Sequence, residues 1–174
     1  MTINSVPKPI KKIKKKPKRK SVLLKDVIAF QRGERKFTKS EEKKAIARLQ
    51  KACKDICSEI CKLLWKGKCA VCGKEGTSAH HFFSWKACSN VRFNLDNLLW
   101  VCYYDHIGKI HQQGLTEPAR EKIIERIGLE RFNTLYYLAF QEHHYSIDGL
   151  TDILREKEFS LQTLKENLAK GYEI

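Results

Sequence analysis

The spacing of apolar residues predicts a long amphipathic helix in the first half of the chain. Apolar positions recur every three or four residues between Ile46 and Leu63, which is the period of a helix with one buried face. Thr38 and Glu41 form a Thr-x-x-Glu capping box before this run, and Gly67 follows its end. We therefore expect a helix between these caps, about 40 Å long at a rise of 1.5 Å per residue.

Three cysteines fall on the apolar side of this predicted helix at intervals of four residues: Cys53, Cys57 and Cys61. Thiols at that spacing could form a metal-binding stripe, but a thiol also behaves as a small apolar side chain on a buried helix face. We interpret the three as core residues rather than ligands. A face of this length also permits a coiled or crossed dimer interface.

Shorter elements are predicted in the middle of the chain. Residues 68–71 and 77–83 have the composition of two short strands, and the turn between them contains two glycines. A loop over residues 84–96 then leads through an Asp-Asn turn to a buried segment at residues 98–102. A short helix is expected over residues 105–111.

The C-terminal part of the chain is predicted to be helical. Thr116 and Pro118 mark the start of a helix that ends near Gly128, and further helices are expected over residues 129–140 and 160–170. Three aromatic side chains of the helix predicted over residues 129–140 are interpreted as core residues rather than as a base-stacking surface: Tyr136, Tyr137 and Phe140.

The excess of basic over acidic residues indicates which kind of molecule the protein binds. The 174 residues contain 34 Lys and Arg against 20 Asp and Glu, which gives a formal net charge of +14. Such an excess favours binding to a polyanion, and nucleic acid is preferred over an anionic membrane surface. The sequence has neither an apolar run long enough to span a membrane nor a secretory signal, so no membrane association and a cytoplasmic location are expected.

A basic segment near the N-terminus holds much of this charge. Residues 8–20 contain nine Lys or Arg and no acid, a composition that cannot bury enough apolar surface to fold alone. A disordered arm that contacts DNA phosphates is therefore predicted, with a solvated tail of no specific role as the alternative. The cations assigned to phosphate contact are Lys11, Lys12, Lys14, Lys15, Lys16, Lys18, Arg19 and Lys20.

The cysteine spacing indicates a zinc site. Cys69 and Cys72 form a Cys-x2-Cys knuckle, which supplies half of a tetrahedral site, and Cys102 follows about 30 residues later. An odd number of cysteines, seven, without an export signal favours thiols and metal over disulfides. Three candidates remain for the fourth ligand, of which the first is favoured: Asp105, His106 and Cys88.

Two histidines, His80 and His81, lie side by side on the second predicted strand. Neighbouring strand residues point to opposite faces, so the two imidazoles are expected to have different roles. A neutral imidazole can accept a proton from water, and another can bind a divalent metal ion through a ring nitrogen. A second pair, His143 and His144, lacks cysteines or acids at ligand spacing and is interpreted as surface.

The order of these residues resembles the HNH, or ββα-metal, endonucleases, where a strand histidine, a loop asparagine and a helix histidine or asparagine form the site. The run AHHFFSWKACSNVRFNLDNLLWVCYYDH, with REKIIERIGLERFNTL downstream, is similar to the Rap/NinG family of lambdoid phage recombination endonucleases. That family has a Gly-His-Tyr strand, an Ala-Leu-Arg-Phe loop, an Asp-Asn turn and a Cys-x2-Cys-Asn knuckle in this order. The likeness covers roughly residues 49–165.

The resemblance implies roles for individual residues. His81 matches the family histidine and would be the general base, while His80 would be a metal ligand by the wider ββα pattern. Arg92 and Asn97 match the Arg-Phe and Asp-Asn elements, which implies phosphate contact for the first and loop positioning in the catalytic site for the second. His106 falls where the family has asparagine and would hold the catalytic metal ion.

The remaining positions follow from the same likeness. The zinc ligands of the family match Cys69, Cys72 and Cys102, and Asp105 stands in place of its fourth cysteine. His111 is a third candidate ligand of the catalytic ion, although on a regular helix a spacing of four would align it with His106 better than five. Lys86 and Lys109 are further cations expected to contact nucleic acid.

The predicted fold class is α+β and mostly helical, with a zinc-stapled ββα-metal, HNH-like core, a long N-terminal helix and C-terminal helices. Its regions would be residues 1–37, the basic arm and a transition, and residues 38–67, the long helix. Residues 68–115 would form the nuclease core, and residues 116–174 the C-terminal helical region.

The predicted function is that of a metal-dependent DNA endonuclease that hydrolyses phosphodiester bonds, with structural Zn2+ and catalytic Mg2+ or Mn2+. The resemblance implies branched DNA substrates such as D-loops and Holliday junctions, in the cytoplasm of a host cell. Because a junction is cut on two sides, a homodimer is predicted. The alternative is a non-catalytic zinc-binding module for nucleic acid, and an adaptor that docks partners on the long helix is a third class.

Overall fold

The structure is a computed structural model that describes residues 24–114 and 116–172. Within these residues the chain forms α-helices, a π-helix and one two-stranded sheet, so the α+β, mostly helical class is confirmed. The elements are α1 (Leu24–Gln31), α2 (Lys39–Leu64), β1 (Ser78–His81), two 3-10 helices (Ser89–Val91 and Leu95–Asn97), β2 (Leu98–Val101), the π-helix (Tyr104–Gln112), α3 (Glu117–Ile127), α4 (Leu129–Ala139) and α5 (Ile147–Ala169). The predicted basic arm lies outside the described residues.

Helix α2 begins at the predicted capping box. The Thr38 hydroxyl accepts a hydrogen bond from the Glu41 amide at 3.3 Å, and the Glu41 carboxylate accepts one from the Thr38 amide at 3.0 Å. The helix packs along α5, and the three cysteines at intervals of four are buried: Cys53, Cys57 and Cys61. Their assignment to the core is therefore confirmed. The predicted transition before α2 contains helix α1.

The sheet pairs β1 with β2 in antiparallel register, with His80 opposite Leu99 and His81 opposite Leu98. The strand that pairs with β1 is β2, which comes later in the chain, and residues 68–71 do not form a strand. The prediction of a strand there is therefore wrong. Those residues form a knuckle turn that makes one isolated bridge, between Lys68 and Glu75. The turn is closed by local backbone bonds such as Gly73 N–H to Cys69 O at 2.9 Å, and its one bond to β2, from Ala70 N–H to Trp100 O, does not extend into a ladder.

Strand β2 is buried on both faces and separates two halves of the core. Leu98 and Trp100 pack with residues of α2 and α5, whereas Leu99 and Val101 pack with the knuckle, the π-helix, α3 and α4. The ring of Trp100 lies so close to Gly76 that a Cβ atom there would overlap it. Paired residues of an antiparallel sheet share a face, so His80 lies on the π-helix side and His81 on the α2 side.

The C-terminal helices agree with the predicted bounds for α3 and α4 but not for α5. Helix α5 begins at Ile147 rather than at residue 160, because the Ser146 hydroxyl caps it by accepting from the Gly149 amide at 3.0 Å. The assignment to the core of three aromatics at the end of α4 and directly after it is also wrong, since α4 buries Phe132 and Leu135 instead. The exposed side chains, with their exposed fractions, are Tyr136 (54%), Tyr137 (69%) and Phe140 (69%). None of the described helices is long and apolar enough to cross a membrane.

Candidate metal centres

Three thiols and one carboxylate form the first candidate metal centre. The side-chain ligand atoms of Cys69, Cys72, Cys102 and Asp105 all lie within 4.8 Å of one another. Asp105 Oδ2 is 3.1 Å from Cys69 Sγ and 3.3 Å from Cys102 Sγ, and Cys72 Sγ is 3.8 Å from Cys102 Sγ. Four donors of this kind fit a tetrahedral zinc ion, which binds sulfur and carboxylate oxygen. We refer to these four residues as the cysteine cluster.

The other two candidates for the fourth ligand lie elsewhere in the described structure. Cys88 is buried against Val91 and Leu135, outside the cysteine cluster. His106 joins a separate group of histidines. The geometry therefore brings Asp105 to the three cysteines that the spacing singled out.

The Asp105 carboxylate is fully buried, and its charge is balanced locally. Lys109 Nζ lies 2.7 Å from Asp105 Oδ1. Burial by itself raises the pKa of Asp105, but hydrogen bonds from Cys72, Lys109, Cys69 and Cys102 outweigh it and hold that pKa well below its usual range. The hydrogen bond to Asp105 also raises the pKa of Cys72 to about 12. Without a cation the Cys72 thiol keeps its proton, and a metal ion would displace that proton as it binds.

Three imidazoles form the second candidate metal centre. The ring nitrogens of His80, His106 and His111 lie within 4.8 Å of one another, and the centres of the three rings are 4.9 to 5.2 Å apart. We refer to these residues as the histidine cluster. His80 is only 7% exposed, and burial lowers its pKa to about 3, assisted by the nearby His106 and His111. Burial also lowers the pKa of His106. Neutral imidazoles keep the lone pairs that a metal ion requires.

The π-helix explains why His111 reaches this cluster. A π-helix makes i→i+5 hydrogen bonds, so residues five apart come onto the same side. His106 and His111 have this spacing and both lie in the π-helix, Tyr104–Gln112. A spacing of five disfavoured His111 on a regular helix, but it suits the helix that forms here.

A hydroxyl orients one member of the histidine cluster. Ser78 Oγ on β1 lies 3.2 Å from His106 Nδ1. The hydroxyl can accept a hydrogen bond from a proton on Nδ1, which leaves the lone pair of Nε2 free for a metal ion. Ser78 was not predicted from the sequence, because it meets His106 only once β1 has paired with β2 and the π-helix has packed on that face of the sheet.

His81 faces the other side of the sheet and is held in one tautomer. His81 Nε2 lies 3.0 Å from the backbone oxygen of Arg92, and a carbonyl oxygen can only accept, so the proton is on Nε2. The Nδ1 lone pair is then free to take a proton. Burial lowers the pKa of His81 in spite of the Arg92 hydrogen bond, and the charges of Lys54 and Arg92 lower it further. The imidazole is therefore neutral near pH 7.

Cations and an indole surround His81. The Trp85 ring centre is 5.1 Å from the His81 ring centre, 4.9 Å from the Arg92 guanidinium carbon and 5.4 Å from Lys54 Nζ. Lys54 projects from α2 and was not predicted, because its position in the sequence matches every other lysine on the polar face of that helix. Lys86 is exposed in the same loop, and the prediction that it contacts nucleic acid remains a prediction. Lys109, also predicted to contact nucleic acid, is paired with Asp105.

Asn97 fixes the loop between the strands. Its side chain is fully buried, accepts from the Phe83 amide at 2.7 Å, and donates to the backbone oxygens of Phe83 and Val91 at 3.0 and 3.1 Å. These bonds tie the residues that follow His81 to the segment that leads into β2. Loop positioning, the role expected for Asn97, agrees with this geometry.

The comparisons with known proteins support one family. The family model described as Bacteriophage Lambda NinG protein matches residues 5–167. No curated protein and no solved structure matches the chain.

Proposed function

The chain belongs to the NinG family of bacteriophage proteins, and from this membership and the histidine geometry we propose that it is a metal-dependent DNA endonuclease. Family membership implies a role related to phage recombination. The observation that carries the proposal is the histidine cluster, whose ring nitrogens lie within 4.8 Å of one another and whose member His80 directly precedes His81 on β1. A metal ion and a general base can thus act on one phosphate at the end of β1.

The order of the elements supports an HNH, or ββα-metal, arrangement. Strands β1 and β2 pair, and the π-helix follows β2 directly. The first strand carries His80 and His81, the loop ends in Asn97, and the helix carries His106. The residues of the cysteine cluster come from the knuckle before β1, the position directly after β2 and the start of the π-helix, so a zinc ion held by them would link these elements as a staple.

In the proposed reaction His81 is the general base. Its Nδ1 accepts a proton from water while the Arg92 carbonyl holds the ring through Nε2. The water oxygen attacks the phosphorus, the bond from phosphorus to the leaving oxygen breaks on the opposite side, and the leaving oxygen takes up a proton from solvent. A divalent ion held by the histidine cluster would supply positive charge that stabilises the negative charge developing on the phosphate. Arg92 and Lys54 add positive charge on the His81 side.

The donor set bears on which ion the histidine cluster takes. Mg2+ prefers oxygen ligands, whereas imidazole suits transition metal ions. Of the two predicted catalytic ions, Mn2+ therefore fits three histidines better than Mg2+. The substrate is proposed to be branched DNA, which the net charge of +14 would attract, and a homodimer would supply two sites for the two cuts at a junction.

A nicking assay tests the proposed function. Supercoiled plasmid is incubated with the full chain and Mn2+ or Mg2+, and the same assay is run with His81→Ala. We expect nicking to fall by about 100-fold or more in the variant, because a positioned general base contributes 10²–10⁴-fold. Zinc content and thermal unfolding of both proteins check that the substitution leaves the fold intact.

Two outcomes would count against the enzyme. If His81→Ala nicked the plasmid as fast as the unmodified chain, His81 would not be the general base. Absence of nicking by the unmodified chain with either ion, while DNA binding persists, would favour the non-catalytic zinc module.

A further inference from the structure

A polar cavity lies on the α2 side of the sheet, and its lining includes Arg92, whose backbone oxygen holds His81. Its volume is about 420 Å³. The residues of its lining that bear on its chemistry are Lys86, Arg92, Glu142, His143, His144 and Tyr145. We refer to this cavity as the Arg92 pocket. Its lining includes the histidine pair that carries no role in the proposed reaction.

The side chain of Arg92 is held in a fixed orientation at the pocket wall. Its Nε donates to the Trp85 backbone oxygen at 3.0 Å, and the guanidinium carbon lies 4.9 Å from the Trp85 ring centre and 5.7 Å from that of Tyr145. Among the described residues no hydrogen-bond acceptor engages its two Nη groups. Guanidinium N–H groups of this kind bind phosphate oxygens in pairs.

The opposite wall is also fixed before any ligand binds. The Tyr145 hydroxyl donates to the Ser89 backbone oxygen at 2.7 Å, and the His143 amide donates to the Ser89 hydroxyl at 3.0 Å. The rings of His143 and Tyr145 pack edge to face with centres 4.4 Å apart. An imidazole carries at least one N–H donor, so His143 and His144 can each donate a hydrogen bond to an anion.

The pocket is directly connected to the proposed general base. The backbone oxygen of Arg92 holds His81 Nε2, while the side chain of the same residue lines the pocket. Both His81 and the Arg92 guanidinium pack on the single ring of Trp85, at 5.1 and 4.9 Å. A ligand in the pocket would therefore lie next to a phosphate at His81.

We propose that the Arg92 pocket binds a phosphate of the DNA strand adjacent to the phosphate that is cut. This inference rests on the proposed nuclease function, because it takes the site at His81 as the reference point. Lys86 and Arg92 give the lining two positive charges against the single acid Glu142, and the two histidines add N–H donors. A phosphate held here would fix the register of the strand relative to His81.

The first experiment measures the salt dependence of binding. A fluorescein-labelled forked DNA is titrated with the full chain carrying His81→Ala, so that the DNA stays intact, and with the same chain also carrying Lys86→Gln, His143→Ala and His144→Ala. We expect the slope of log affinity against log salt to become shallower by about 0.7 to 0.9, which corresponds to one lost phosphate contact. Lys170→Gln is the matched control, because α5 is about 35 Å long and places Lys170 far from the pocket at its other end.

The second experiment locates the phosphate. A single uncharged methylphosphonate is moved one position at a time along the strand, and binding is measured for the protein with and without the three pocket substitutions. At one position the methylphosphonate should lower the DNA affinity of the protein with the intact pocket by about tenfold. The affinity of the protein with the three pocket substitutions should stay nearly unchanged. Where the cut is mapped, that position should be within two nucleotides of it.

The outcomes separate this inference from the proposed function. In one contrary outcome the pocket substitutions give the same salt slope as Lys170→Gln, and in another the methylphosphonate lowers the affinity of both proteins equally at every position. Either result would overturn the assignment of a phosphate to the Arg92 pocket, even if the unmodified chain nicks DNA. Position-specific coupling without any nicking would support the pocket as a phosphate site and overturn the nuclease.

Discussion

His106 and His111 show how the type of helix decides which side chains can meet. On an α-helix, residues five apart point about 140° away from each other. In the π-helix the same two residues lie with ring centres 4.9 Å apart and complete a group of three with His80. π-turns occur frequently at functional sites, and here the turn places a donor that α-helical geometry would direct elsewhere.

Replacement of Ser78 should weaken metal binding without removing a ligand. In Ser78→Ala the ring of His106 loses the hydroxyl at 3.2 Å that orients it, and partners of this kind are worth 10–100-fold in metal affinity or activity. We therefore expect about tenfold or greater loss of affinity for Mn2+ in calorimetric titration of the zinc-loaded protein. Ser160→Ala makes the same chemical change on α5, where the hydroxyl bonds Glu156 O, and should bind Mn2+ like the unmodified chain. Equal affinities for all three proteins would contradict the role of Ser78.

The sequence predicted the residues whose chemistry shows in their spacing, and missed those that only tertiary packing brings in. Cys69, Cys72 and Cys102 stand out because knuckle spacing is rare, and the adjacent pair His80 and His81 stands out for a similar reason. Ser78 and Lys54 have no such signal. The first is one of many serines, and the second is one of several lysines on the polar face of α2. Their neighbours in space are distant in sequence, so no local pattern marks them.

At the scale of elements, the strands were harder to predict than the helices. Helix α2 has a capping box and a long apolar period, and its predicted start agrees with the structure. Strand β2 is buried at all four residues and shows no alternation, so the sequence marked it only as a buried segment. The knuckle was mistaken for a strand because the segment 68–71 is short and apolar after Lys68, although its backbone bonds close a turn.

The thiols on the buried face of α2 should make the fold sensitive to alkaline pH. Burial raises the pKa of Cys57 and Cys61 from 9.0 to about 12. Between these values the unfolded chain has lost protons that the folded chain keeps, so stability is complete below pH 9 and falls as pH rises toward 12. Each thiol should contribute about 1.4 kcal/mol of loss per pH unit in that window.

Urea unfolding between pH 7 and pH 10.5 checks this expectation. The free energy of unfolding of the unmodified chain should fall more steeply above pH 9 than that of Cys57→Ala/Cys61→Ala. Below pH 8 the two slopes should agree, because both thiols are protonated in both states, and this range serves as the internal control. Parallel curves throughout would show that the buried thiols do not set the alkaline limit.

At the scale of the whole molecule, the two candidate metal centres are joined by the π-helix, which contributes residues to both. Asp105 of the cysteine cluster is adjacent to His106 of the histidine cluster, and both lie in the π-helix. Zinc at the cysteine cluster would tie this helix to the knuckle, which in turn bonds to β2 through Ala70 N–H and Trp100 O at 2.8 Å. Zinc at the cysteine cluster would therefore fix the positions of His106 and His111, two of the three members of the histidine cluster.

Loss of the zinc staple should disturb both centres, whereas loss of a histidine ligand should disturb one. In Cys69→Ala the folded chain loses the free energy of zinc binding, about 4 kcal/mol when zinc is 1,000-fold above its dissociation constant, so Tm should fall by about 10 °C. Zinc content should fall, and affinity of the histidine cluster for Mn2+ should fall with it, since the π-helix is no longer anchored. In His111→Ala we expect zinc content and Tm close to those of the unmodified chain, with weaker Mn2+ binding alone.

Cys88→Ala is the matched control for this comparison, because Cys88 is buried outside both clusters and the chemical change is the same. Metal content by mass spectrometry, thermal unfolding and Mn2+ titration distinguish the three variants. Retention of zinc by Cys69→Ala would exclude it as a ligand. Loss of zinc with unchanged Mn2+ affinity would mean that the packing of Leu99, Val101 and Ile110 holds the π-helix in place without the staple.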